Sequence, residues 1–219
     1  MAEMHDATEE YLEAILEIEE EGITPIRARL VERFGFSATA VSETVQRLED
    51  HGFVELQHDR SLHLTGKGRR LATTIVRRHR LAERLLVDVI GLEWEKVHKE
   101  ADRWEHAISA DVEEKLVELL GDPATCPHGN PIPGSGRKID HAGSVPLSEA
   151  EPGPVSVTRV TESLEVRESE LKVLAAARFI PGVAAHVLGH EPEGVRVKTS
   201  VTEQLVPLDV AQEIFVTPR

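Results

Sequence analysis

The sequence predicts a mainly α-helical protein, with a winged helix-turn-helix at its amino-terminal end and a small β-barrel at its carboxy-terminal end. Apolar residues recur at helical spacing through most of residues 7–120. Two helical segments joined by a glycine turn precede a hairpin-like alternation over residues 53–68, and short β-like segments fill residues 155–219. These three observations indicate a helical first half followed by a separate β module.

The amino-terminal module is predicted from three helical segments. Apolar residues repeat every three or four positions over residues 11–18, which predicts a first helix over about residues 7–21. A short helix over 27–34 and a longer one over 37–51 follow, separated by a glycine, as in a helix-turn-helix. The alternation on either side of residues 58–60 predicts a hairpin, which completes a winged helix-turn-helix.

The rest of the chain separates into a helical module and a β module. Helical patterns over 67–90, 93–107 and 109–120 predict an all-helical second module. The stretch from Pro123 to Pro154 is rich in Pro, Gly and Ser, which indicates a loop leading into a flexible linker. Four β-like segments around one short helix near 169–177 then predict the barrel. The predicted domains are residues 1–66 (winged helix-turn-helix), 67–135 (helical module), 136–154 (linker) and 155–219 (β module).

Composition narrows the class of protein. The net charge is -14, but residues 1–23 hold nine acids and no Lys or Arg, whereas residues 24–84 hold twelve Lys or Arg against seven acids. A basic module thus follows an acidic helix, so a DNA partner stays possible in an acidic chain. The single cysteine excludes an internal disulfide framework, and no apolar run suits a signal sequence or a membrane span. We therefore expect a cytoplasmic protein without a membrane partner.

One helical segment carries a pattern of metal-ligand type. At about 100° per residue, His98, Asp102, Glu105 and His106 fall within one arc of about 100° beside an apolar arc. Carboxylates and imidazoles at the edge of a core are donors that divalent metals use. Helix-spaced pairs recur elsewhere, at His79 with Glu83 and at Glu10 with Glu13. The alternative is a solvated helix face with incidental histidines, and His79 could instead contact nucleic acid.

The motifs TPIRARLVERF, VSETVQRLEDHGFV, DRSLHLTGKGR, RRHRLAERLL, IGLEWEKVHKEADRWEHAIS and GNPIPG resemble the diphtheria-toxin-repressor family of bacterial iron- and manganese-dependent regulators. The resemblance covers residues 5–135, and beyond the linker it is one of architecture, to an SH3-like carboxy-terminal domain. It implies a homodimeric repressor that binds palindromic double-stranded operators when loaded with divalent metal. It implies neither catalytic residues nor an organic small-molecule substrate.

The resemblance also implies a set of metal ligands, with two sites per subunit. The iron-type regulators carry a methionine at position 10 and a cysteine at position 102, where this chain has carboxylates, which favour Mn²⁺ over Fe²⁺. Co²⁺, Ni²⁺, Cd²⁺ or Zn²⁺ are expected as substitutes in vitro. An acidic residue at position 13 also resembles the manganese type. The implied ligands in the matched segments are Glu10, Glu13, His79, Glu83, His98, Asp102, Glu105 and His106.

Three further residues are candidate ligands. Cys126 and His128 resemble the Cys-x-His of streptococcal manganese regulators, although a turn residue and an exposed histidine are an equal alternative. The carboxy-terminal domain is expected to add a ligand, for which Glu168 and Glu170 are candidates, and we select Glu170.

For DNA, the resemblance places the helix over 37–51 in the major groove and the hairpin near Arg60 against the backbone or minor groove. Arg27 and Arg60 are expected on phosphates, whereas Ser37, Thr39 and Glu43 are expected near base edges, with Ser42 and Arg47 as further contacts. Several of these residues could instead cap or solubilise the helix. Three alternatives to a manganese-dependent repressor stay open: an iron-responsive repressor of the same family, a metal-dependent hydrolase, and a metal-independent winged-helix regulator.

Overall fold

The computed structural model describes residues 2–137, 139 and 143–219, with side chains from residue 7 onward. It consists of two compact units, Met1–Arg78 and His79–Arg219. About half of the chain is helical, and the carboxy-terminal part forms an antiparallel sheet, so the helical share is smaller than a mainly α fold implies. Residues 138 and 140–142 of the predicted linker lie outside the described residues.

The first unit contains the predicted helix-turn-helix and wing. Its elements are α1 (Ala2–Glu20), α2 (Arg27–Phe34), α3 (Ala38–Asp50), β1 (Val54–Leu56), β2 (Leu62–Leu64) and the start of α4 (Gly66–Leu85). The turn after α2 forms because Gly35 adopts a left-handed φ of 66° and its N–H bonds the carbonyl of Val31. Ser37 then caps α3 by accepting a hydrogen bond from the N–H of Ala40. The first helix begins before the predicted residue 7.

The wing and the core of this unit follow from alternation and periodicity. Strands β1 and β2 pair antiparallel, with Val54 opposite Leu64, and Arg60 at the tip has a φ of 71°. The Asp59 carboxylate accepts hydrogen bonds from both the backbone N–H and the hydroxyl of Ser61, which fixes the turn around Arg60. The core beneath is formed by fully buried aliphatic residues, among them Leu12, Ile15, Leu30, Val45 and Leu62.

The second unit begins with helices. Helix α4 ends in a π-helical turn (Leu86–Ile90), 3₁₀ turns (Trp94–Lys96 and Glu105–Ala107) flank α5 (Val97–Trp104), and α6 follows (Ala110–Leu120). The helix predicted over residues 93–107 is therefore a short α-helix between tighter turns. Its apolar face, with Val97, Ala101 and Ile108, packs on Leu81 and Leu86. This packing fixes the polar side of α5 next to α4.

The β module completes the second unit. Its elements are β3 (Val145–Pro146), β4 (Gly153–Val160), α7 (Glu162–Glu165), α8 (Glu168–Ala176), β5 (Ala184–Glu191), β6 (Gly194–Lys198), β7 (Glu203–Pro207), α9 (Leu208–Ala211) and β8 (Ile214–Pro218), after a 3₁₀ turn at Leu147–Glu149. The strands form one antiparallel sheet in the order β3-β8-β4-β5-β6-β7. The pairing is that of an open sheet, and closure into a barrel stays a prediction. β3, β8, α7 and α9 were not predicted. Of these, β3 has two residues and α7 and α9 are single helical turns, which are too short for a periodic pattern.

A buried loop over residues 126–130 fastens the helical part of this unit to β4. The N–H of Val160 donates to the carbonyl of His128 (2.9 Å), and the Asn130 side-chain amide donates to the carbonyl of Val160 (2.8 Å). Gly129 lies so close to β4 that a β-carbon there would be 2.1 Å from the carbonyl oxygen of Thr158. The sequence predicted a loop here, and the structure makes it an interior segment.

Candidate metal centre

Helix α4, helix α5 and the 3₁₀ turn after α5 bring two histidines and two glutamates together in the interior. His79 and Glu83 lie one turn apart on α4, and the His79 Nε2 atom lies 3.1 Å from His98 Nδ1 on α5. On its other side the His79 Nδ1–H donates to a Glu105 carboxylate oxygen at 2.5 Å. That hydrogen bond fixes the tautomer and leaves Nε2 available as a ligand atom. All four residues are buried.

The single turn α7 adds two buried carboxylates that the sequence did not predict. Oxygen atoms of Glu162 and Glu165 lie 3.6 Å and 3.4 Å from His98 Nδ1. Glu162 also accepts two hydrogen bonds from the buried guanidinium of Arg80, at 3.1 Å from Nε and 3.0 Å from Nη2. The β module therefore contributes directly to the cluster around His98.

The buried loop supplies the remaining donors. His128 Nδ1 lies 3.0 Å from a Glu83 oxygen and 2.9 Å from a Glu165 oxygen, and the His128 ring packs against Trp94 with centroids 4.6 Å apart. Cys126 is buried and is the third member of a close group with Glu83 and His128. The loop thus holds a thiol and an imidazole against the carboxylates of α4 and α7.

This cluster has the chemistry of a cation site. Within the second unit, nitrogen, sulfur and carboxylate atoms of the described residues converge in two groups, each with all donor atoms within 4.8 Å: His79, Glu83, His98 and Glu165, and Glu83, Cys126 and His128. Several polar atoms are buried without a hydrogen-bond partner among the described residues, which is unfavourable unless another group satisfies them. Those in the cluster are Glu83 Oε2, His128 Nε2, Glu162 Oε2 and Glu165 Oε2. Such donors fit a divalent metal ion.

The electrostatics of the cluster agree with this assignment. Burial alone lowers the pKa of His98, but the Glu165 carboxylate outweighs it and the pKa rises to about 9. Burial likewise lowers the pKa of His79, but the Glu105 and Glu83 carboxylates outweigh this effect and raise that pKa well above its usual value. Burial, together with the Glu83 and Glu165 carboxylates, raises the pKa of the Cys126 thiol. The surrounding carboxylates therefore favour the protonated form of each donor, and a bound cation would replace those protons.

The other predicted ligands occupy different positions. Asp102 Oδ1 lies 3.4 Å from His79 Nδ1 with the side chain 53% exposed, and His106 Nε2 lies 3.5 Å from a Glu105 oxygen. Both therefore flank the Glu105 side of His79, at the surface of the cluster. Glu10 is exposed and Glu13 is partly buried on α1 of the first unit. Their role as ligands stays a prediction.

Glu170 is the predicted ligand that the structure places elsewhere. Its carboxylate pairs with Arg167 at 3.1 Å, and the neighbouring candidate Glu168 pairs with Lys172 at 2.8 Å. Both lie on α8, whereas the carboxylates that reach His98 and His128 are on α7. The sequence signal for Glu162 and Glu165 is only an i, i+3 acidic pair after a strand, and it becomes meaningful once α7 is placed.

The predicted DNA contacts lie on the exposed part of the first unit. Thr39, Glu43 and Arg47 are exposed along α3, and Arg60 is exposed at the wing tip. The remaining predicted contacts are less free to reach DNA. Arg27 lies 3.9 Å from Glu49, Ser37 caps α3, and Ser42 is partly buried. An exposed helix and an exposed hairpin tip are the elements that a winged helix-turn-helix presents to DNA.

A winged helix-turn-helix followed by a buried cluster of metal-type donors defines a metal-dependent DNA-binding regulator. Comparison with known families agrees. Residues 3–62 match the family described as iron dependent repressor, N-terminal DNA binding domain, and residues 65–134 match iron dependent repressor, metal binding and dimerisation domain. The chain belongs to the diphtheria toxin repressor family of metal-dependent transcriptional regulators.

Individual relatives cover most of the chain. The iron-dependent repressor IdeR of Mycobacterium tuberculosis is 46% identical over 213 residues, which span 87% of this chain and 93% of that relative. The diphtheria toxin repressor of Corynebacterium diphtheriae is 47% identical over 199 residues, spanning 87% and 88%. Among solved structures, a manganese-dependent transcriptional repressor in complex with manganese is similar with a TM-score of 0.84 and 30% identity, covering 97% of this chain and 100% of that one.

Membership of this family decides several of the open alternatives. The family and these relatives are transcriptional repressors, so the chain is a metal-dependent repressor and not a hydrolase. The matched domains indicate that it binds DNA, divalent metal and a second copy of itself, which also excludes a metal-independent regulator. None of the helices within the described ranges has the length and hydrophobicity that crossing a membrane requires.

Proposed function

We propose that this chain is a cytoplasmic Mn²⁺-activated repressor that binds palindromic operators of metal-homeostasis genes. The carboxylates at positions 10 and 102 favour Mn²⁺ over Fe²⁺, because oxygen donors suit harder ions than thioether and thiolate do. Similar solved structures include manganese regulators, whereas relatives of higher sequence identity are named for iron. An iron-responsive repressor is therefore the second candidate, supported by the names of those relatives.

The buried convergence of α4, α5, α7 and the loop over residues 126–130 is the observation that carries this proposal. We assign two metal-binding regions per subunit. The first is the buried cluster, with His79, Glu83, His98, Cys126, His128 and Glu165. The second is the more exposed side of His79, with Asp102, Glu105 and His106, to which Glu10 and Glu13 of α1 are expected to contribute. A divalent ion supplies the positive charge that offsets the buried carboxylates in each region.

The proposed switch acts through α1. Nine acids within residues 1–23 repel one another and the carboxylates near Glu105, so α1 is held loosely until that charge is offset. Coordination by Glu10 and Glu13 would fix α1 and thereby the spacing of the two DNA-reading units of the dimer. Moving such an equilibrium from 1:99 to 99:1 requires about 5.5 kcal/mol of differential binding, which several charged ligands on one ion can supply.

The proposed domain roles follow the predicted division of the chain. Residues 1–66 read DNA, with α3 in the major groove and Arg60 at the backbone or minor groove. The helical module, residues 67–135, binds metal and forms the dimer contact. The linker, residues 136–154, connects it to an SH3-like domain, residues 155–219, which adds Glu165 to the cluster. Helix α6 suits the dimer contact, because Leu116 is its only buried residue whereas Val112 and Leu119 are 48% and 62% exposed.

The test is operator binding measured by fluorescence anisotropy with purified full-length protein. We expect binding with Mn²⁺, none with chelator, and weaker activation by Fe²⁺ under anaerobic conditions. His106→Ala should shift the Mn²⁺ midpoint upward, whereas His186→Ala, at an exposed strand position, should not. Equal binding with Mn²⁺ and with chelator would contradict the switch. Stronger activation by Fe²⁺ would favour the iron-responsive candidate.

A further inference from the structure

We propose that Glu83 is shared by two metal ions, so that the buried cluster is a carboxylate-bridged pair site rather than a single-ion site. This inference rests on the proposed binding of divalent metal and specifies how the cluster holds it. Glu83 is 0% exposed on α4 and stands between two sets of donors. His79 and His98 lie on one side, and Cys126 and His128 lie on the other.

The contacts of Glu83 point in both directions. Its Oε1 atom lies 3.6 Å from His79 Nε2, 3.9 Å from His98 Nδ1 and 3.0 Å from His128 Nδ1. Its second oxygen is buried and accepts no hydrogen bond from any described residue. One oxygen of this carboxylate thus faces imidazoles on both sides, and its second oxygen is unsatisfied, so Glu83 has lone pairs free to bind two cations.

The donor geometry separates into two ion positions. The two groups of mutually close donors both contain Glu83, and within the described residues neither group contains both His98 and Cys126. His79 Nε2 and His98 Nδ1 are 3.1 Å apart, which is about the separation of two nitrogens that each lie about 2.1 Å from one ion. One ion between these nitrogens therefore leaves the thiol and His128 for a second ion.

Glu165 supplies a second bridging carboxylate. Its Oε2 atom lies 3.4 Å from His98 Nδ1 and 2.9 Å from His128 Nδ1, so it faces both halves of the cluster. Asn130 holds the other oxygen by donating to Oε1 at 2.7 Å, which orients Oε2 toward both histidines. Protein sites that hold two metal ions place them about 3.5–4 Å apart, a distance that shared carboxylates span.

The two halves of the pair differ in chemistry. The His79 and His98 half offers only nitrogen and oxygen, which suits Mn²⁺, whereas the Cys126 half offers sulfur, which favours a softer ion such as Co²⁺ or Zn²⁺. The Cys126 thiol must lose its proton when it binds. A thiolate bound to Co²⁺ gives a charge-transfer absorption band, so Co²⁺ reports on that half separately.

The experiment counts Co²⁺ ions bound per subunit of full-length protein after equilibrium dialysis and records the absorption spectrum. Relative to the wild type, His98→Ala should lose one ion and keep the charge-transfer band, and Cys126→Ser should lose one ion and the band. Glu83→Gln, which preserves shape, should lose two ions. Loss of a single ion in Glu83→Gln with a native circular dichroism spectrum would overturn the bridge.

A measurement on the wild type decides the question if Glu83→Gln does not fold. Two Mn²⁺ ions that share carboxylates are magnetically coupled, so the electron paramagnetic resonance spectrum at full loading should lack the six-line signal of isolated Mn²⁺ for these ions. Six-line signals that account for all bound Mn²⁺ would overturn the pair. Wild-type protein that binds neither ion would overturn the proposed function itself, whereas binding without coupling overturns only the bridge.

Discussion

Removing the charge of Arg80 should destabilise the metal-free protein strongly and the metal-loaded protein less. Arg80 is 1% exposed on α4 and donates two hydrogen bonds to Glu162, which is 2% exposed. Burial alone would raise the pKa of Glu162, and the charge of Arg80 outweighs it and lowers that pKa. Arg80→Met preserves the length of the side chain but leaves a buried carboxylate without its cation.

The magnitude follows from the burial of both partners. Breaking a buried ion pair by removing one partner costs about 3–5 kcal/mol, because the remaining charge stays desolvated. We expect the free energy of unfolding of the chelated protein to fall by that amount. In the metal-loaded protein the loss should be smaller, because the freed Glu162 lies 3.6 Å from His98 Nδ1 and can approach the ion.

The assay is urea unfolding with chelator and with Mn²⁺, followed by circular dichroism and by tryptophan fluorescence, since two compact units need not unfold together. Arg80→Met with Glu162→Leu is the matched control, because replacing a buried pair by apolar residues is often neutral. A loss below about 1 kcal/mol in the single variant, or an equal loss in the double variant, would refute the reasoning.

Three further predictions concern the cluster and the wing. Mn²⁺ affinity should decrease as pH falls below about 9, because binding must remove the proton held by His98. The expected decrease is about tenfold per pH unit for each proton displaced. Calorimetry that detects no proton release at pH 7.5 would contradict this prediction. Gly129→Ala should lower the free energy of unfolding by about 1–3 kcal/mol and weaken Co²⁺ binding, because its β-carbon would meet the carbonyl of Thr158. Gly189→Ala, which has open space around it, is the control and should change neither quantity. Urea unfolding and metal titration measure the two effects. Arg60→Ala should weaken operator binding and reduce the salt dependence by about one phosphate contact, and an unchanged slope in anisotropy titrations would place Arg60 away from the DNA backbone.

The sequence predicted those elements whose signals are local. Residues 27–34 form α2 as expected, because an amphipathic run ends at a glycine that can adopt positive φ. The paired spacing of His79 with Glu83 on α4 predicted a shared face, and the structure buries both residues in one cluster. Cys126 and His128 were identified by their resemblance to a known motif, and the structure places them beside Glu83.

The missed features depend on tertiary contacts. Helix α7 is a single turn, so its four residues contain no repeating apolar pattern, and the neighbouring Glu170 on α8 was chosen in place of Glu165. The proposed approach of Glu10 and Glu13 to the other candidate ligands likewise depends on how the first unit packs against the second. Sequence periodicity does not predict that arrangement. The π-helical turn at the end of α4 buries Leu86, and no pattern in the sequence predicts this change of helix type.

The buried loop over residues 126–130 has a kinetic consequence. The donors that it carries are buried, and hydrogen bonds from the main chain and from the Asn130 side chain hold the loop on β4, so a bound ion is expected to exchange with solvent when those bonds open transiently. The lifetime of the loaded state would then be set by local breathing of this segment rather than by affinity alone. A repressor built in this way would continue to report metal sufficiency for some time after the free ion has declined.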